Sequence, residues 1–225
     1  MTRALLMTTL LALLTTGCNP DDSELSYAVL VEVTRSGDMT DAELRDAFLA
    51  AEAGLNEAPG LERAYLVHTP NSVGRVYLWR TRADAEAYFD ERWQARVEDI
   101  HGGPPKATWF LVPAQTSGAS PGSAGGDGVV VIVRVRTPWY APQRLVASRM
   151  RDSIPQYSAI AGLDYKIYSI TEDRMLGGIY LWENQAAVDD FYDAAWHDGI
   201  RERYGEDARL DRFTSTAVLI TDPTS

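Results

Sequence analysis

The sequence predicts an α+β fold in which one βαββαβ module is written twice. Three observations predict it. The stretch Gly177-Gly178-Ile179-Tyr180-Leu181-Trp182 runs into a helical pattern carrying Val188, Phe191 and Tyr192, and it recurs as Gly74-Arg75-Val76-Tyr77-Leu78-Trp79 ahead of Ala85, Tyr88 and Phe89. The two copies align without a gap from Trp79 and Trp182 onward, so Tyr88 falls on Phe191, Phe89 on Tyr192 and Trp93 on Trp196. Shared strand patterning alone would not repeat those aromatic positions. Between the copies, residues 114–128 consist almost wholly of Ser, Gly, Ala, Thr and Pro, which reads as a flexible linker with few side chains to bury.

Each element has its own signal. Residues 27–34 alternate Tyr27, Val29, Val31 and Val33 with Ala28, Leu30, Glu32 and Thr34, as a strand does. Thr40 with Glu43 makes a capping box, and Leu44, Phe48, Ala51 and Leu55 give the helix behind it an apolar face that Pro59-Gly60 ends. Strands follow at 61–69 and 73–79, then one helix over 83–100 and a fourth strand at 107–112. After the linker the order repeats: a strand at 129–136, a helix over 142–154 with Val146, Arg149, Met150, Ser153 and Ile154 on its partly apolar face, stopped by Pro155, and strands at 163–171 and 176–182. A last helix runs from about 183 to 204, and a strand at 213–221 closes the chain. The order βαββαβ is ferredoxin-like. The boundaries expected are 26–113 for the first module, 114–128 for the linker and 129–221 for the second module.

The chain has 225 residues and a formal net charge of −11, which excludes a diffuse basic footprint for nucleic acid. Its single cysteine, Cys18, allows no internal disulfide. Arg3, the apolar stretch 4–14 and Thr15-Thr16-Gly17-Cys18 resemble a bacterial lipoprotein signal, with residues 1–17 removed and Cys18 acylated. An ordinary secretory signal with an incidental thiol is the alternative. Residues 18–25 read as a polar tether. The resemblance implies a lipid anchor in the bacterial cell envelope, on the periplasmic face, and Asn19 after the cysteine favours the outer membrane.

The segments Ala161-Gly162-Leu163-Asp164-Tyr165-Lys166-Ile167-Tyr168 and Gly177-Gly178-Ile179-Tyr180-Leu181-Trp182-Glu183-Asn184 resemble the YdhR-like monooxygenases of the dimeric α/β-barrel superfamily, which also holds the antibiotic-biosynthesis monooxygenase domains. The resemblance implies two ferredoxin-like units packed sheet to sheet, here within one chain as an intramolecular pseudo-dimer. A four-stranded sheet with helices on one face needs a cover for the other, and a second module supplies it. On that reading Leu30 and Glu32 meet Ile132 and Arg134 in the barrel. Glu32 and Arg134 then either pair in the interior or reach solvent at a barrel end.

No metal cluster, phosphate loop or nucleophile elbow is present in the sequence, and His68, His101 and His197 are scattered. An aromatic set remains. The resemblance implies a slot between helix and sheet where a small aromatic or hydrophobic compound reacts with O₂ without any cofactor. Tyr180, Trp196 and His197 are the candidates for catalysis, and Trp93, Tyr168, Phe191 and Tyr192 for substrate contact. Either these aromatics line a pocket or they are core, and His197 is either a base or a surface histidine. An envelope enzyme of this kind and a non-catalytic lipoprotein that binds a ligand or partner are both open. The catalytic Asn of the characterised superfamily enzymes has no motif-level counterpart, and Asn184 falls in a strand–helix turn.

Overall fold

The structure is a computed structural model that describes residues 25–35, 39–124, 128–136 and 141–221, apart from the side chain of Ala53. The signal segment, Cys18 and the tether up to residue 24 lie outside the described residues.

The elements run β1 (Ser26–Thr34), α1 (Asp41–Ala50), α2 (Glu52–Asn56), β2 (Leu61–His68), β3 (Ser72–Trp79), α3 (Arg82–Tyr88), α4 (Glu91–His101), β4 (Lys106–Val112) and β5 (Gln115–Ser117). They continue as β6 (Gly128–Arg136), α5 (Gln143–Asp152), α6 (Ile154–Tyr157), β7 (Leu163–Thr171), β8 (Met175–Trp182), α7 (Gln185–Phe191), α8 (Ala194–Tyr204) and β9 (Arg209–Ile220). The strands share one antiparallel sheet in the order β4-β1-β3-β2-β9-β6-β8-β7-β5, and β4 also pairs with β7. That last pairing closes eight of the strands into a barrel, and β5 pairs with the same edge of β7 beside β4.

Alternation along the strands sorts side chains into layers. Leu30, Val76, Leu78, Ile132, Ile179 and Leu181 point into the barrel and pack together. An eight-stranded barrel is narrow enough for side chains to fill. Val29, Val31, Tyr77 and Trp79 point outward beneath α1 to α4, and Val129, Val131, Tyr180 and Trp182 point outward beneath α7 and α8. Trp79 and Trp182 are both 0% exposed. The glycine ahead of each tryptophan is steric in purpose: a Cβ on Gly177 would lie 1.8 Å from the Val133 carbonyl oxygen, and one on Gly74 2.0 Å from that of Val31.

Several expectations need correction. The helices expected at 83–100 and 183–204 are each two. The Asp90 carboxylate accepts the Trp93 N–H at 2.7 Å, and the Asp193 carboxylate accepts the Trp196 N–H at 2.7 Å. An aspartate that satisfies a free helix N–H starts a new helix and ends the old one. Pro155 likewise sits in the first turn of α6, where its missing N–H costs nothing, and α5 has already ended at Asp152. The Glu43–Thr40 capping box is as expected. The last strand begins at Arg209, four residues before the expected 213, because β6 pairs with it from Gly128↔Ser215 to Arg134↔Arg209.

The expected flexible linker at 114–128 is bound to the body over its described part. Gln115–Ser117 pairs with β7, the Asp164 carboxylate accepts the Gly122 and Ala124 N–H groups at 3.0 Å each, and Ala124 is buried with the barrel interior. The small residues let this segment lie flat against β7 more than they make it loose. Glu32 and Arg134 do not pair. Arg134 bridges to Asp211 on the neighbouring strand, and Glu32 accepts a long hydrogen bond from Ser72 Oγ at 3.5 Å.

Removing a fully buried indole loses its transfer energy and leaves a cavity. Trp182→Ala should therefore destabilise the fold by about 3–5 kcal/mol. Chemical denaturation should show this as a lower midpoint with a little-changed slope.

Candidate active site

Three aspects of local structure converge on one space between the outward face of β6, β7 and β8 and the helices above it. The strand register sets Lys166 opposite Tyr180, and Tyr168 opposite Gly178. The Asp193 cap starts α8 so that Trp196, in its first turn, faces the sheet. The short α6 lays Tyr157 across the end of the space. The result is a cavity of about 540 Å³ whose chemistry comes from Tyr157, Lys166, Tyr168, Tyr180, Phe191 and Trp196.

The aromatic wall is continuous. The Tyr157 ring lies 5.8 Å from Tyr168, edge-on at 88°, and 5.9 Å from Tyr180. Tyr168 Oη and Ser153 Oγ share a hydrogen bond of 2.9 Å. Burial pushes the Tyr168 phenol up to about 12 and that of Tyr180 well above its ordinary value. These tyrosines therefore stay protonated near neutral pH and can donate hydrogen bonds. Burial makes them weak acids that keep the proton.

Lys166 is the residue that sequence reasoning missed. Its side chain is 2% exposed. Its Nζ lies 2.9 Å from the Tyr157 ring centroid, 3.8 Å from Tyr168 and 4.7 Å from Tyr180. Among the described residues it has no hydrogen-bonding or carboxylate partner. Desolvation pushes its pKa down to about 5. With burial holding its pKa that low, the amine is neutral at pH 7. Alternation in the sequence puts Lys166 on the same side of β7 as Tyr168, and the structure shows that strand buried at all nine positions.

The expected site residues divide. Tyr168, Tyr180, Phe191 and Trp196 line the cavity together. Tyr192 lies behind the wall, edge-on to Trp196 at 4.8 Å and to Tyr180 at 6.1 Å. His197 stacks edge-on against Trp196 at 5.0 Å but is not part of the lining. Trp93 is in the other half, packed on Phe89 at 4.8 Å. Asn184 caps α7, its side-chain oxygen accepting the Ala187 N–H at 3.0 Å. Among the described residues no group of His, Cys, Asp and Glu could hold a metal ion.

The first half fills the corresponding space. Four residues before Trp79 stands Arg75; four before Trp182 stands Gly178. The Arg75 guanidinium lies 5.1 Å from the Phe48 ring centroid and reaches Tyr77 Oη at 3.4 Å. At Gly178 even a Cβ would lie 3.0 Å from the Tyr180 ring and 3.2 Å from Lys166 Cε. Glycine there leaves room for the lysine.

The fold defines an α+β protein with a closed eight-stranded antiparallel barrel and an aromatic cavity under its helices. Solved structures of that fold are similar to it. One from Fusobacterium nucleatum, provisionally assigned as a monooxygenase, matches with a TM-score of 0.65 and 7% identity over 87% of this chain and 94% of that one. An anthrone oxidase-like protein matches with a TM-score of 0.55 and 12% identity over 91% and 97%. A ferredoxin-fold protein from Listeria monocytogenes, related to antibiotic-biosynthesis monooxygenases, matches with a TM-score of 0.53 and 10% identity over 87% and 97%. At these identities the likeness is one of fold. No protein-family model and no curated protein sequence matches the chain.

The lysine makes the fold's stability pH-dependent. Its pKa is near 5 in the folded state and ~10.4 in an unfolded chain. Between those values the unfolded state binds the extra proton, so stability rises with pH across that window. Lys166→Met should raise stability at pH 7 by up to about 4–5 kcal/mol. It should also remove most of the rise that wild type shows between pH 6 and 9 in denaturant titrations.

Proposed function

We propose that the cavity binds a small aromatic or hydrophobic compound, and that the protein is a cofactor-independent, monooxygenase-like enzyme of the cell envelope. The observation that carries this reading is the cavity itself, walled by Tyr157, Tyr168, Tyr180, Phe191 and Trp196 around a neutral amine. An electron-rich phenol needs little from a protein in order to react with O₂. It needs an apolar slot, polar groups at its hydroxyl, and exclusion of water. The aromatic wall supplies the slot, the neutral Lys166 amine accepts a hydrogen bond from the ligand's hydroxyl, and the Tyr157 and Tyr168 hydroxyls donate hydrogen bonds to a developing anion. Fold alone does not carry an activity; the fold of the monooxygenase-like structures adds support to what the cavity suggests.

The wider reading is a lipoprotein made of two YdhR-like modules, residues 26–113 and 129–221, joined as an intramolecular pseudo-dimer. The repeated Gly-x-x-Tyr-Leu-Trp stretch and the repeated Asp-x-x-Trp helix cap support a duplication. So does the strand order, β4-β1-β3-β2 in the first half and β9-β6-β8-β7 in the second. The second module keeps the pocket and the first has closed it with Arg75. The Cys18 signal supports a lipid anchor on the periplasmic face of the envelope.

Gly199 lines the cavity, and a Cβ there meets nothing within 4 Å. Gly199→Trp should fill the cavity without unfolding the protein. Wild type should consume O₂ with dihydroxynaphthalene as the probe, and the variant should lose at least about tenfold of that rate, equivalent to ~1.4 kcal/mol. Binding of the probe without O₂ uptake would favour the non-catalytic ligand-binding reading, and no binding to either form would end both. Cys18→Ser should move the protein from the membrane to the soluble envelope fraction, read by fractionation and blotting.

A further inference from the structure

The chain contains only two lysines among its 21 Lys and Arg residues, the exposed Lys106 at the start of β4 and the buried Lys166. Arginine keeps its charge in any folded protein, whereas a desolvated lysine can release its proton and become a nucleophile. The groups that face Lys166 are Tyr157 from α6, Tyr168 from its own strand and Tyr180 from β8. Ser153, Gln156, Arg149 from α5, and Arg203 and Tyr204 from α8 make up the rest of the polar lining. No carboxylate lines the cavity among the described residues. The two exposed arginines make its rim cationic, which disfavours an ammonium inside and favours an anionic ligand entering.

We propose that Lys166 is a nucleophilic amine that captures small aromatic aldehydes or ketones bearing an anionic group, holding them in the cavity as an imine. The Nζ lone pair attacks the carbonyl carbon and forms the C–N bond. The carbonyl oxygen then leaves as water, taking with it the two protons of the amine. No electron is gained or lost, so no oxidant or reductant enters the step. The ligand's ring lies against Trp196 and Phe191, and its carboxylate reaches the Arg149 and Arg203 rim. When the imine takes up a proton, the three tyrosine rings around the nitrogen lie close enough to stabilise the positive charge. Gly178 is part of the device, since a side chain there would press on Lys166 Cε. The proposal rests on the ligand pocket of the preceding reading and is independent of oxygen chemistry.

The test is reductive trapping on the full chain in detergent, with 4-carboxybenzaldehyde and sodium borohydride at pH 7 and peptide mapping by mass spectrometry. An unperturbed lysine, with a pKa of ~10.4, is neutral in fewer than about one molecule in a thousand at pH 7. Lys166 should therefore be labelled at least about tenfold faster than the exposed Lys106, even after the cost of entering the pocket. Labelling of Lys166 should persist at pH 6 and fall as the pH drops below about 5. Benzaldehyde, which lacks the anion, should label more slowly. Lys166→Met should fold, show no adduct at that peptide and leave labelling of Lys106 unchanged. Labelling of Lys106 as fast as Lys166, or an unlabelled Lys166 while Lys106 reacts, overturns the proposal. An adduct without O₂ uptake on dihydroxynaphthalene would overturn the oxygenase reading alone. O₂ uptake without an adduct would overturn the imine alone.

Discussion

The structure depends on the pairing of strand edges. A four-stranded sheet ends in two rows of unpaired N–H and C=O groups, and each half of this chain has such edges at β2 and β4 or at β7 and β9. Here β2 pairs with β9 from Arg63↔Ile220 to His68↔Thr214, and β4 meets β7 at Phe110↔Thr171 and Leu111↔Ile170. Closure removes the edges, which would otherwise invite pairing with other chains. It also turns one face of every strand inward, so Leu30, Ile132 and their neighbours become a core that neither half could bury alone. The segment 114–124 covers the rest of the β7 edge beyond β4 by adding β5 and by giving Asp164 two N–H donors.

With the barrel interior filled, a ligand site has to lie in the other layer, between the strands and the helices. There the two halves differ in a few residues. Arg75 and Phe48 occupy the space in the first half; Gly178 and Met150 leave it open in the second. The breaks at Asp90 and Asp193 start α4 and α8 just ahead of Trp93 and Trp196. In the first half that indole completes a packed aromatic cluster with Tyr88 and Phe89. In the second it forms a cavity wall.

Lys166 costs stability and receives neither a hydrogen bond nor an ion pair in return among the described residues. Buried charges in structural roles are normally paired, because an unpaired one shifts its pKa and neutralises. A neutral amine facing an open aromatic space is instead the condition under which lysine does chemistry. The raised phenol pKa values of Tyr168 and Tyr180 come from the same dry surroundings. One environment thus sets up both the donors and the acceptor.

The sequence by itself determined what local physics controls. Alternation placed Val29 and Val31 on the helix side and Leu30 and Ile132 inside, Thr40 and Glu43 started α1, and the aromatic spacing picked out Tyr168, Tyr180, Phe191 and Trp196. Tertiary structure decided what depends on distant partners. Lys166 reads in sequence as a polar residue in a strand, and its burial comes from α6 bringing Tyr157 over it and from the missing side chain at Gly178. The Glu32–Arg134 pairing expected from their matched positions gives way to Asp211, which β9 carries next to Arg134. The small residues at 114–124 looked like slack because composition records flexibility and not contact, and only the closed sheet shows the surface they lie on. His197 follows Trp196 in sequence but points off the cavity, since adjacent positions on a helix face different ways.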